Sequence, residues 1–171
     1  MNRKEPNEDI NVRSRAYYLA HAVRNCWRCR KPTSVFALAL PALHERLDID
    51  AVSQTPSPAS EVWEPVAQGT FLFHVEYLPE SVRIRLGDLA PCLRRGYGQT
   101  TQGGHWINHC ARCGKPQDDH FLHCEPGAAF MPTTQAAASL IQLLEFGEPL
   151  AAWAAGYSHE LPFFEFMPKL G

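Results

Sequence analysis

The stretch Asn25-Cys26-Trp27-Arg28-Cys29-Arg30-Lys31-Pro32-Thr33 decides how this chain is read, because it returns as His109-Cys110-Ala111-Arg112-Cys113-Gly114-Lys115-Pro116. Each copy is a CxxC hook followed by a basic residue and a proline. Two residues between cysteines let one turn of backbone present both sulfurs to a single ion, and Gly114 eases the second turn. Four soft thiolates select zinc over hard cations, and a closed site of this kind is normally structural. Cys26, Cys29, Cys110 and Cys113 are therefore the expected ligands of one zinc ion. The alternatives are two independent redox pairs or incidental core thiols. Neither hook shows the strand-to-helix setting that thioredoxin-like chemistry uses.

Outward from the hooks, Val12 to Val23 is rich in β-prone aromatics and predicts a strand, since zinc knuckles commonly sit at the turn of a hairpin. Val35-Phe36-Ala37-Leu38-Ala39-Leu40 is apolar on both alternating faces and predicts a central strand ended by Pro41. Eighty residues separate the hooks, against about 15 to 20 in a compact two-hook motif, so the segment 41–104 must have structure of its own. Within it, 42–49 predicts a helical turn or two, Ser53 to Ser60 an exposed linker, and 71–77 a strand. Leu78, Val82, Leu86, Leu89 and Leu93 predict a helix from Pro79-Glu80 that ends before Pro91, in preference to a strand burying Val82, Ile84 and Leu86. Gly96, Gly98, Gly103 and Gly104 mark a loop, and 105–109 a strand into the second hook.

Beyond that hook, Asp118 or Asp119 is placed to cap a single helical turn before Pro126. Residues 133–138 predict helix and 139–153 a pair of strands. Phe163, Phe164, Phe166 and Met167 read as an apolar flap over the core. The expected fold is α+β: a small, mostly antiparallel sheet with a zinc-ribbon-like four-cysteine site and a few short helices. A flexible terminus at 1–11 precedes a single zinc-stabilised domain at 12–171.

The 171 residues, 45% apolar and 20% charged, belong with globular proteins able to bury a core unaided. No apolar run approaches the roughly 20 residues of a membrane span, and Met1 to Asp9 lacks the apolar core of a signal peptide. A cytoplasmic location without membrane contact is the expectation, and reduced thiols there favour metal ligation over disulfides. Net charge is −2, but residues 1–115 carry 15 cations and 11 acids, while 116–171 carry one cation and seven acids. The resulting +4 and −6 permit a basic face near the hooks, from Arg24, Arg28, Arg30, Lys31, Arg112 and Lys115. The plainer reading is that these cations offset thiolate charge.

Trp27 and Trp106 flank the metal and are expected to fill core, with a stacking platform as the alternative. Cys92 and Cys124 are expected as small buried hydrophobes, and His105 and His109 as surface residues or outer partners of the metal ligands. Asp118, Asp119, His120 and His123 are the place for an enzyme; capping and surface hydrogen bonds are the simpler account. Their arrangement has a faint similarity to HNH nucleases, which carry a further hook or Asn-His element downstream that only His159 is available to supply here.

The run from Trp106 to Phe130, with Cys26-Trp27-Arg28-Cys29, resembles a group of uncharacterised bacterial proteins with paired CxxC zinc-ribbon-like hooks. The similarity covers about a third of the chain. It implies a bacterial zinc protein and no particular activity. The leading expectation is a non-enzymatic module with structural zinc that binds a protein partner. A nucleic-acid-binding ribbon using Trp27, Arg28, Arg30, Lys31 and Arg112 comes next, and a metal-dependent phosphodiesterase using His120 and His123 third.

Overall fold

A computed structural model of the chain describes residues 10–48, 61–96, 104–158, 161 and 163–171. The linker expected at 53–60, His159, and Gly98 and Gly103 of the glycine loop lie outside the described residues.

The chain is built on β-structure: β1 (Val12–Ser14), β2 (Tyr17–Asn25), β3 (Pro32–Leu40), β4 (Glu45–Leu47), β5 (Trp63–Pro65), β6 (Thr70–Tyr77), β7 (Leu93–Gly96), β8 (His105–His109), β9 (Pro116–Gln117), β10 (Gln142–Phe146), β11 (Leu150–Tyr157) and β12 (Lys169–Leu170). The helices among the described residues are α1 (Glu80–Leu89), α2 (Asp119–His123), α3 (Gln135–Ala138) and a 3-10 turn at Phe164–Phe166. Nine strands form one sheet in the order β12-β10-β2-β3-β6-β11-β1-β4-β5, and β7-β8-β9 form a second. Among the described residues, only β10 with β12 is parallel. The class is α+β and mostly antiparallel as expected, but the main sheet is large.

The size of the sheet follows from strands that the local pattern concealed. Val12 to Val23 is two strands, broken at Arg15-Ala16, and the two do not pair: β1 lies between β11 and β4, whereas β2 lies between β10 and β3. Where a helical turn or two was expected within 42–49, Glu45–Leu47 is β4, held extended against β1 and β5. The strands expected at 139–153 exist, but β10 pairs with β2 while β11 pairs with β6 and β1. Asn11, placed in the flexible terminus, is buried; its side chain donates to Ala154 O at 2.8 Å and accepts from Ala154 N at 2.9 Å.

β3 is central and buried on both faces. Leu38 and Leu40 join Leu19, Leu72, Leu78, Val82 and Leu86 on one side; Val35, Ala37 and Ala39 join Ala20, Phe71, Phe130 and Leu143 on the other. α1 closes the first face through Leu78, Val82 and Leu86, and each such side chain contributes roughly 1.5–3 kcal/mol by leaving water. Ile84 is exposed, which rules out the competing strand, but so is Leu89, which the helical spacing had turned inward. α2 and the Phe163-Phe164-Met167 flap close the second face, with Phe166 left exposed.

β3 and β6 pair only from Leu38 to Leu40 with Leu72 to Thr70. Past that point, side chains complete the backbone bonding. Asn108 of β8 accepts from Phe36 N at 2.7 Å and donates to Phe36 O at 2.8 Å. Asp119 of α2 accepts from His74 N at 2.8 Å. Here the smaller sheet joins the larger one, and both candidate sites lie along the join.

Candidate metal centre

The two hooks are the turns of two hairpins. The β2–β3 hairpin ends with Asn25 opposite Pro32, and the β8–β9 hairpin with His109 opposite Pro116. In the first, Cys26 N donates to Lys31 O at 2.9 Å and Arg30 N to Cys26 O at 3.0 Å; in the second, Cys110 N donates to Lys115 O and Gly114 N to Cys110 O, both at 2.9 Å. Arg30 and Gly114 occupy the same left-handed position, at φ 62° and 71°. Glycine accepts that conformation readily and arginine does so at a cost, so the turn geometry, not residue preference, is what the hooks share.

Each hairpin also grips the other. Trp27 Nε1 donates to Pro116 O at 2.8 Å, and Ala111 N donates to Thr33 Oγ1 at 3.1 Å. The four sulfurs converge: Cys26 to Cys113 and Cys29 to Cys110 are each 3.7 Å apart, and all four lie within 4.8 Å of one another. A tetrahedron with zinc–sulfur bonds of about 2.3 Å has edges of about 3.8 Å, so the sulfurs match a closed tetrathiolate centre. Arg28 N and Gln117 Nε2 donate to Cys26 Sγ, and Arg112 N to Cys110 Sγ, each at 3.4 Å.

These donors act on the thiols. The backbone N–H of Cys113, followed by that of Arg112, draws Cys110 down to about 6. Burial opposes ionisation of Cys26, yet the backbone N–H groups of Cys29 and Arg28 carry it below the ordinary thiol value. Cys113 has a favourable Lys115 N–H, but loss of solvent and the neighbouring sulfurs push it up to about 11. Four thiols this close resist common ionisation, and a divalent cation relieves that resistance. The cluster is able to hold a metal ion such as zinc in a structural role.

Compared with known protein families, curated proteins and solved structures, the chain matches none.

Around the sulfurs, Trp27 is 55% exposed rather than core filling, because its indole lies along the turn to reach Pro116. Arg28, Arg30, Lys31, Arg112 and Lys115 are exposed as well. Trp106 is half-buried against the first core, with the Arg95 guanidinium 5.2 Å from its ring centroid. Cys124 is exposed and Cys92 half-buried, so neither is the buried hydrophobe expected. His109 Nδ1 lies 3.3 Å from Cys92 O.

The polar run after the second hook divides in two. Asp118 caps α2, accepting from His120 N at 2.8 Å, and His120 is exposed. Asp119 and His123, one turn apart, point inward and are buried. His123 stacks on Phe73 and Phe130 at 4.8 and 4.9 Å, its Nδ1 has no hydrogen-bond partner among the described residues, and burial drives its pKa down to about 3. His120 and His123 are thus split between surface and core and do not share a site.

Asp119 instead meets His74 of β6 and His105 of β8, a grouping that sequence reasoning missed. His105, expected at the surface or as an outer partner of the thiolates, is buried beside His74 and Asp119; burial lowers its pKa, while Asp119 is raised to about 6, first by burial. No local signal joins these three residues, because each comes from a different element.

No described helix is long and apolar enough to cross a membrane.

Proposed function

We propose that this protein is a non-enzymatic binding module in which Cys26, Cys29, Cys110 and Cys113 hold one structural zinc ion and the knuckle tip docks a protein partner. Zinc supplies a cross-link between two sheets whose hairpins lie far apart in sequence. The observation that carries the reading is Trp27, an aromatic side chain that is 55% exposed yet pinned at 2.8 Å to the opposite hairpin. A large, pre-ordered aromatic is the kind of residue that anchors protein interfaces, because little freedom is lost on binding. Phe121 of α2 is also exposed, at 53%, and Arg24 donates to its carbonyl oxygen at 2.9 Å.

The exposed cations Arg28, Arg30, Lys31 and Arg112 around Trp27 favour a second reading, an indole that stacks on a nucleic-acid base while phosphates meet the cations. Affinity purification of tagged protein from its native cells, beside W27A, separates the two. A protein recovered with the native chain, resistant to nuclease and depleted at least about tenfold by W27A, supports docking, since anchor residues are worth 1.4 kcal/mol or more. Recovery of nucleic acid alone, released steeply by salt, refutes docking in favour of the second reading.

A further inference from the structure

We propose that His74, His105 and Asp119 form a second metal site, distinct from the four cysteines and open on one side, for a divalent transition ion of the zinc class. Three atoms converge: His74 Nδ1 lies 3.4 Å from His105 Nε2 and 3.7 Å from Asp119 Oδ2, and His105 Nε2 lies 3.9 Å from Asp119 Oδ2. The two carboxylate contacts are too long for hydrogen bonds, and 3.4 Å is long for the imidazole pair. They suit shared coordination better. Zinc bonds to nitrogen and oxygen of about 2.1 Å set tetrahedral edges of about 3.4 Å, so small shifts of Asp119 close the set.

The donor chemistry narrows the ion. Two imidazoles and one carboxylate suit zinc, cobalt(II), iron(II) or nickel(II), whereas calcium and magnesium prefer an all-oxygen shell. Three protein ligands leave at least one position for water or another small ligand, the feature that separates open sites from closed structural ones. His105 and Asp119 are buried, and the His74 side chain is 30% exposed, so solvent reaches the cluster from the His74 side.

The backbone is bent to make this arrangement. His74 lies at φ 49°, the left-handed region that non-glycine residues seldom occupy inside a strand. In that conformation its N–H is held by Asp119 Oδ2 at 2.8 Å while its ring comes to the same carboxylate. Strain of this type concentrates at functional sites. A cavity lined by Asp119 and His123 lies on the inner side.

The test uses full-length protein with its thiolate site filled by zinc, cleared of loosely held metal and titrated with Co²⁺. Uptake is followed by equilibrium dialysis and visible absorption. The native protein is expected to take up about one cobalt beyond the zinc, without the intense thiolate-to-cobalt charge-transfer band. H74G, which accepts the φ of residue 74, and D119N, which keeps an acceptor for the residue-74 N–H, are each expected to weaken cobalt binding by more than roughly 100-fold, since loss of even an outer partner costs about 10–100-fold. Thermal melting of both variants with zinc alone reports folding, and either folded variant suffices. No cobalt beyond the zinc, a thiolate charge-transfer band, or undiminished uptake by a folded variant overturns the second site. Because the thiolate site is filled with zinc beforehand, failure of the second site leaves the structural-zinc reading standing, and a thiolate band, which requires cobalt to displace that zinc, would itself show metal binding by the four cysteines.

Discussion

Asn108→Ala tests whether a single side chain carries the join between the two sheets. Asn108 is 1% exposed, and its amide makes both hydrogen bonds to Phe36 where β6 no longer pairs with β3. Alanine leaves the N–H and C=O of Phe36 without those partners. Each buried group so orphaned costs about 1–3 kcal/mol, giving roughly 2–5 kcal/mol for the pair after some relaxation. For a chain of this length that is a fall in melting temperature of about 5–15 °C. Urea and thermal unfolding at fixed excess zinc measure it. Because Asn108 precedes Cys110 by two residues, zinc release to a chelator is expected to quicken in parallel. Asn108→Asp keeps the acceptor for Phe36 N but sets a carboxylate against Phe36 O, so it is expected to recover stability as acid protonates that carboxylate. A loss in N108A below about 1 kcal/mol would show that water replaces the amide and that the sheets are joined by packing and metal alone.

Replacing Cys110 with Ser is expected to lower the melting temperature by well over 10 °C and to remove the roughly one zinc per chain found by elemental analysis, because site formation and folding are coupled; an unchanged melting temperature refutes the structural role. His123 is held neutral in the fold down to about 3 against an ordinary 6.5. The unfolded chain therefore binds the extra proton, so the stability this neutrality represents is complete above about 6.5 and is lost as pH falls towards about 3. H123F, which keeps a ring between Phe73 and Phe130, is expected to flatten that limb of a melting-temperature-versus-pH curve. Gly156→Ala is expected to cost about 1–3 kcal/mol by urea unfolding, because a Cβ there runs into the Phe73 ring that stacks on His123.

The four-cysteine cluster was legible because its information is local: two cysteines separated by two residues, with a turn that places both sulfurs, specify half of it without the rest of the fold. The central strand was legible for a similar reason, since Phe36, Leu38 and Leu40 alternate with Val35, Ala37 and Ala39. Pairing was not. β10 and β11 look like a hairpin across Gly147, yet β10 adds to β2 and β11 to β6. A strand's edge bonds carry no residue code, so its neighbour is decided by which faces must be buried. Trp27 shows the converse error, an apolar residue read as core whose position on the turn forces it outward. His74, His105 and Asp119 share no spacing at all, coming from β6, β8 and the first residue of α2. They meet because β3 and β6 stop pairing and polar side chains take over the free backbone groups of Phe36 and His74. Asp119, which takes up the free N–H of His74, is therefore also a member of the His74–His105–Asp119 cluster, whereas Asn108 only bridges the sheets. N108A and D119N are therefore expected to differ in kind: the first loosens the join and speeds zinc release, and the second leaves the join and changes only what the His74 side of it binds.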